Sequence, residues 1–392
     1  MAKVTLPCDD GSTEDYVMGD PMKFEIASAN TMPRIAYAAV HVVADPIHDG
    51  NPLTETSIDW EATVNYRRYV WSLGLGVAEA MDTAQRGMGV NWENSLELVK
   101  RSVDAARDFQ KGNGRALLAC GAGTDHLEPS PNISIEDVIN AYEEQCHSIE
   151  GVGGRIVLMA SRALTKVASS PEDYLKVYER ILRQVKEPVI IHWLGEMFDP
   201  ALKGYWGSDN HWTAMETCLR VIADNAEKVD GIKISLLDSK KEIAMRNNLS
   251  TGVRMYTGDD FNFPDLIAGD DAGYSDALLG IFDAIAPAAS AALGAMGRQD
   301  MEEYNKILAP TLPLSRHIFQ APTQYYKTGI VFLAYLNGHQ DHFLLIGGQE
   351  GTRSTLHLAI LFRLADKAGL FHDPEISARR MENVMKVHGV GV

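Results

Sequence analysis

Two ionisable side chains interrupt otherwise apolar runs. Lys233 stands in DGIKISL (230–236) and His192 in PVIIHW (188–193). An ammonium group seldom lies inside a buried strand unless it is paired or chemically used. Burial disfavours its charged form and lowers its pKa. A neutral amine can attack a ketone or aldehyde to form a Schiff base, and the iminium then draws electrons from the neighbouring carbon–carbon bond. Lys233 is a candidate nucleophile; the alternative is a lysine paired with a core carboxylate such as Glu79. His192 is a candidate acid–base group near neutral pH, a candidate metal ligand, or a hydrogen-bonded core histidine.

Two further segments are dense in polar groups. EAMDTAQRGMG (79–89) brings Glu79, Asp82, Thr83 and Arg86 together with Gly87 and Gly89. Glycines let backbone amides approach a ligand, and Arg86 can hold a carboxylate or phosphate. The same residues would also serve as a polar loop capping the next helix. GDD at 258–260 offers Asp259 to substrate hydroxyls, or forms a turn before a helix starting near Phe263; the turn is the preferred reading. Glu79, Asp82 and His192, with Asp259, also make up a ligand set for Mg²⁺, Mn²⁺ or Zn²⁺. His339-x-Asp341-His342 has similar residue types but reads better as a solvated helix–helix connection.

These residues recur at the ends of a repeating pattern. Eight short apolar runs begin at 34, 75, 115, 155, 188, 230, 253 and 275, each gap long enough for a crossover helix. Their continuous apolarity fits parallel strands buried on both faces. Between them lie segments of helical period: Asn91 precedes one, Ser134-x-x-Asp137 another, and Ser170-Pro171-x-Asp173 a third. No GxGxxG follows the first strand, which argues against a dinucleotide-binding open sheet. The pattern predicts a (β/α)₈ TIM barrel over 34–300. An N-terminal β-hairpin segment (1–33), with strands at 4–7 and 22–27, precedes it, and a C-terminal helical extension (301–392) follows. In such a barrel the C-terminal ends of the strands face the active site, which is where the candidates above fall.

Composition limits the partners. The 392 residues carry 36 Lys and Arg against 53 Asp and Glu, a net charge of −17. A polyanionic nucleic acid or an anionic membrane would need concentrated basic residues. The four cysteines are scattered without ligand spacing, the N-terminus has no apolar signal core, and no long apolar run is present. The expectation is a cytoplasmic protein with a small-molecule partner.

Residues 34–335 resemble the dihydrodipicolinate synthase and N-acetylneuraminate lyase family of class I aldolase barrels, most closely a divergent branch of it. The resemblance runs through AYAAVHVVADPIHDGNPLTETSIDWEA, GLGVAEAMDTAQRGMGVNWENSLELVKRSV, RALLACGAGT, EPVIIHWLG, VDGIKIS and MYTGDD, in the family's order. It implies a Schiff-base lysine at Lys233, a carbonyl substrate, no cofactor and a homo-oligomer, for which the apolar LAILFRLA helix is a candidate interface. Several positions depart from the family. His192 stands where the family has a proton-relaying tyrosine. Of two threonines that hold the substrate carboxylate and support that tyrosine, only Thr83 corresponds. The synthases' arginine after the fifth strand is missing from GEMFDP. The chain is accordingly expected to be a class I lyase or aldolase acting on a small oxo-acid or keto-sugar, with Lys233 as nucleophile, His192 as proton shuttle, and Glu79, Asp82, Thr83, Arg86 and Asp259 around the substrate. The alternatives are a metal-dependent isomerase, hydratase or aldolase using Glu79, Asp82 and His192, and a non-catalytic sensor.

Overall fold

A computed structural model describes residues 2–112 and 114–391. The chain opens with an antiparallel hairpin, β1 (Lys3–Pro7) and β2 (Thr13–Val17), with Pro7 opposite Thr13. The turn at 8–12 reverses the chain at once. Asp10 accepts hydrogen bonds from the Ser12 amide and hydroxyl, and Gly11 takes a φ of 82° that favours glycine. The residues that pair with β1 are therefore the next five, and the strand expected at 22–27 does not form. That segment is irregular and is tied to the far end of the chain by the Met22 amide bonding the Gly369 carbonyl at 3.0 Å.

All eight expected runs become strands of one closed parallel barrel. They are β3 (Ala36–Ala39), β4 (Gly76–Glu79), β5 (Leu118–Ala122), β6 (Arg155–Leu158), β7 (Val189–Leu194), β8 (Val229–Ser235), β9 (Arg254–Thr257) and β10 (Asp276–Leu279), with β10 pairing back onto β3. The intervening helices begin as their capping residues predict. Asn91 accepts the Asn94 amide, and Ser134 with Asp137 and Ser170 with Asp173 form reciprocal capping boxes.

Alternation along the strands sets the site. Tyr37, Ala39, Ala78, Ala119, Val157, Ile190, Tyr256 and Leu278 form a separate apolar cluster, which fills the barrel interior. On β7, two residues beyond Ile190, the same face presents His192. His192 pairs in register with Lys233 on β8. The interior thus changes from apolar to polar at one level, near the C-terminal ends of two adjacent strands.

The extension is packed into the molecule. Every residue of the helix Tyr326–Leu336 is buried. The helix Thr355–Lys367 carries the LAILFRLA run, and its apolar face is covered within the chain. Phe362 meets Tyr16 and Phe371 at ring distances of 6.2 and 4.8 Å, Arg363 pairs with Glu14, and the Tyr16 hydroxyl donates to Asp366 at 2.8 Å. The surface expected to join subunits is thus the seat of the N-terminal hairpin. Among the described residues, no helix is long and apolar enough to cross a membrane.

One hydrophobic cluster runs from Ala2 through the barrel helices to Met385. A chain ending at residue 300 is expected to be insoluble or to melt without cooperativity, as followed by solubility and calorimetry. A soluble fragment with a sharp transition would contradict this.

Candidate active site

Lys233 is 4% exposed, and among the described residues its amine makes neither a hydrogen bond nor an ion pair. Burial lowers its pKa, and the nearby carboxylates of Asp82 and Asp260 oppose that shift. The space beside it is kept open by Gly258. A β-carbon there would lie 2.8 Å from the Lys233 Cε and 2.6 Å from the Ile234 carbonyl oxygen.

His192 is fully buried. Its Nε2 lies 3.2 Å from the Ser235 hydroxyl, and its Nδ1 has no partner. Burial, reinforced by Lys233, holds its pKa well below the ordinary histidine range. This environment favours the neutral imidazole.

The loop after β4 is held in a strained form. Ala80 and Gln85 have φ of 52° and 60°, left-handed values costing roughly 1–3 kcal/mol each in non-glycine residues. The Gln85 side chain offsets part of this by pairing with the Ile346 amide and carbonyl of the extension at 3.1 and 2.7 Å. Between the two strained residues, Asp82 and Thr83 meet the phenol of Tyr326. The hydroxyl donates to Asp82 Oδ2 at 2.7 Å and lies 2.6 Å from Thr83 Oγ1. The other Asp82 oxygen is buried without a partner. Burial raises the Asp82 pKa, but Lys233 and Lys327, with the Tyr326 bond, outweigh it and keep the carboxylate ionised. Asp260 behaves oppositely. Burial pushes it up to about 8, against the pull of the Ile281 amide and Lys233, so it keeps its proton at pH 7.

Lys327 is a second buried lysine. Its ammonium donates to the Gln324 carbonyl at 3.0 Å and touches the Met88 sulfur at 3.4 Å, and no carboxylate lies within ion-pairing distance among the described residues. Burial lowers its pKa to about 8, so it is charged at neutral pH. Asp82, His192 and Lys327 line one small cavity of about 130 Å³ together with Arg162 and Phe198. Lys233 is outside the wall itself, adjacent to it through His192 and Asp82.

Three expected site residues do other work. Glu79 is turned out of the barrel into a closed ion pair. It accepts from Arg67 Nε and Nη2 at 2.8 and 2.9 Å, from Ser102 and from the Ala80 amide. It is neither the partner of Lys233 nor a member of a ligand set with Asp82 and His192. Among the described residues, no three His, Cys, Asp or Glu side chains are grouped to hold a metal ion. Arg86 lines the cavity, but its donors are all engaged by Asp125, Gln145 and the Ala80 and Gly121 carbonyls. It shapes the loop instead of receiving an anion. Asp259 accepts from the Phe261 amide and the Asn262 side chain at 2.9 and 2.8 Å, which makes it a turn residue. Tyr326 and Lys327 were not anticipated. A signal existed, because Lys327 interrupts YYKTGIVFLAYL as Lys233 interrupts its strand.

A family described as "Protein of unknown function (DUF993)" matches residues 4–390. The chain belongs to this family. No curated protein matches the sequence. Among solved structures, a putative dihydrodipicolinate synthetase from Pseudomonas aeruginosa is similar with a TM-score of 0.62 and 14% identity, over 85% of this chain and 99% of that one. The dihydrodipicolinate synthase of Thermotoga maritima is similar with a TM-score of 0.61 and 16% identity, over 86% and 99%. A chloride-inhibited synthase from Acinetobacter baumannii, complexed with pyruvate, gives the same values. At these identities the likeness shows a shared barrel fold.

Two outcomes test the assignments. Glu79→Gln leaves Arg67 charged and buried without its counter-ion, and is expected to cost about 3–5 kcal/mol in a denaturant titration. An unchanged midpoint would contradict a structural role. Asp260 has a folded pKa of about 8 against an ordinary 3.8. The folded state therefore holds a proton that the unfolded chain releases. This contribution is fully present below the unfolded value and is lost as pH rises through about 8, at no more than about 1.4 kcal/mol per pH unit. Asp260→Asn should gain stability relative to the parent between pH 5 and 8.5, by thermal melts; a constant difference would contradict it.

Proposed function

We propose that the chain is a Schiff-base-forming lyase or aldolase of the class I type, acting on a small carbonyl compound with Lys233 as nucleophile. The observation that carries this reading is a buried, unpaired lysine amine near the C-terminal end of a barrel strand, beside one ionised and one protonated aspartate. The barrel likeness to dihydrodipicolinate synthases, one of them complexed with pyruvate, supports it.

The chemistry follows from the environments. Desolvation enlarges the neutral fraction of the Lys233 amine, which adds to the carbonyl carbon. The resulting carbinolamine must lose its oxygen as water. Asp260, which keeps its proton, is the acid suited to that departure, and Asp82 is the anion suited to stabilise the iminium. The iminium then accepts the electron pair of the bond that breaks. Protons move through Tyr326, bonded to both Thr83 and Asp82. In this reading the extension supplies, beside Thr83, the phenol that the family resemblance places on the fifth barrel strand, where His192 stands. The neutral His192, bridged to Ser235 through Nε2, would donate a hydrogen bond from Nδ1 to the carbonyl oxygen without changing charge.

Borohydride reduction in the presence of small oxo-acids and keto-sugars, followed by peptide mass analysis, tests this. The expected result is a reduced adduct on Lys233 and a loss of turnover of about 10³-fold or more in Lys233→Ala. An unlabelled Lys233 with a compound that turns over, or near-full turnover in Lys233→Ala, would overturn the proposal.

A further inference from the structure

The cavity wall holds three polar groups whose capacity for hydrogen bonding is not met within the chain. The Lys327 ammonium has three protons, of which the Gln324 carbonyl takes one and the Met88 thioether, a weak acceptor, another. Asp82 Oδ1 is a buried carboxylate oxygen with no donor, and His192 Nδ1 is a buried ring nitrogen with no partner. A buried polar group left unpaired costs free energy, and such a group in a native structure calls for an explanation. Here all three line the same small cavity, so a bound molecule can satisfy them together.

The signs of the groups say what that molecule carries. Lys327 offers donors and positive charge, which asks for an anionic oxygen. Asp82 is held ionised and offers only an acceptor, which asks for a hydroxyl or amine proton. Of the other basic side chains of the wall, Arg86 is fully engaged, and Arg162 is engaged through Nε and Nη1, the latter on the Gly87 carbonyl at 3.4 Å. Arg86 is committed to Asp125, Gln145 and backbone carbonyls, and Arg162 bonds Asp199 at 2.5 Å. Phe198 adds an apolar side to the same wall and stacks edge-on to Tyr326 at 5.9 Å.

We propose that Lys327 is the specificity-determining anchor of the cavity, and that the ligand it selects is a hydroxylated organic anion whose acidic group pairs with Lys327 while a hydroxyl donates to Asp82 Oδ1. The anchor comes from the helical extension, at the residue following the phenol that fixes Asp82. Neutral sugars and unhydroxylated acids each satisfy only one of the two groups. The substrate class rests on the Schiff-base reading of this site, but recognition of the anion does not pass through Lys233 or a carbonyl.

Glycerate is therefore the probe, because it has both groups and no carbonyl. Its binding is compared with glycerol and propionate by calorimetry and thermal shift, on the parent chain and on Lys327→Met, Lys327→Arg and Lys233→Met. The expected result is measurable glycerate binding, weakened roughly ten- to a hundredfold in Lys327→Met, partly restored in Lys327→Arg and largely kept in Lys233→Met, with glycerol and propionate each at least about tenfold weaker. Equal binding of glycerate and glycerol, or glycerate binding untouched by Lys327→Met, would overturn the proposal. So would glycerate binding that survives Lys327→Met and disappears in Lys233→Met. Should Lys327→Met fail to melt cooperatively, the Lys327→Arg variant with the glycerol comparison decides. A failure of Schiff-base trapping at Lys233 would leave the glycerate result standing, so the two readings fail separately.

Discussion

Two ammonium groups share the field of one buried carboxylate. Lys233 and Lys327 both act on Asp82, and neither lies within ion-pairing distance of any acid among the described residues. At an effective dielectric near 20, unit charges 4 Å apart interact by about 4 kcal/mol, so even unpaired charges in this pocket set one another's protonation. Asp82 stays ionised because both lysines favour its charge. The lysines are depressed because burial outweighs what the carboxylates return, Asp82 and Asp260 to Lys233 and Asp82 and Asp199 to Lys327. Asp260, for which burial outweighs the pull of Lys233, is left protonated at pH 7. On the proposed reading, such a site offers a protonated carboxyl, an ionised carboxylate and a depressed amine at one pH.

The position of Asp82 depends in turn on the C-terminal extension. Tyr326 fixes one of its oxygens, Gln85 is clasped by Ile346, and the Met88 carbonyl receives the Gln349 side chain at 2.5 Å. The strained loop after β4 is therefore held from outside the barrel. Ala80 and Gln85 adopt left-handed backbone because their surroundings demand it. The N-terminal hairpin seals the far side of the same extension, through Arg363 and Asp366. The two ends of the chain thus cooperate to buttress one loop of the candidate site.

The barrel could be read from the sequence because its strands are local and apolar, and its helix starts carry explicit caps. The hairpin partner of β1 was misplaced because MKFEIA looks like a strand, yet a tight turn pairs the nearest residues first. Lys233 and His192 were legible as polar breaks in apolar strands. Glu79 and Arg86 were equally polar, but which face a strand-end side chain takes depends on where its partners sit. Arg67 arrives from a helix 12 residues before Glu79, and Asp125 from the next loop reaches Arg86. No spacing rule brings either pair together. Tyr326 and Lys327 lie more than 240 residues from Asp82 in the chain, and only the docking of the extension puts them in the cavity.

The nucleophile is tested most directly by a crystal soaked with pyruvate and then reduced with borohydride. If Lys233 is the reacting amine, electron density is continuous from its Nζ to the carbon that bore the carbonyl, and Lys327 remains unmodified. Density showing a free Lys233 amine with an adduct on Lys327, or a ligand bound without any covalent link to lysine, would contradict it.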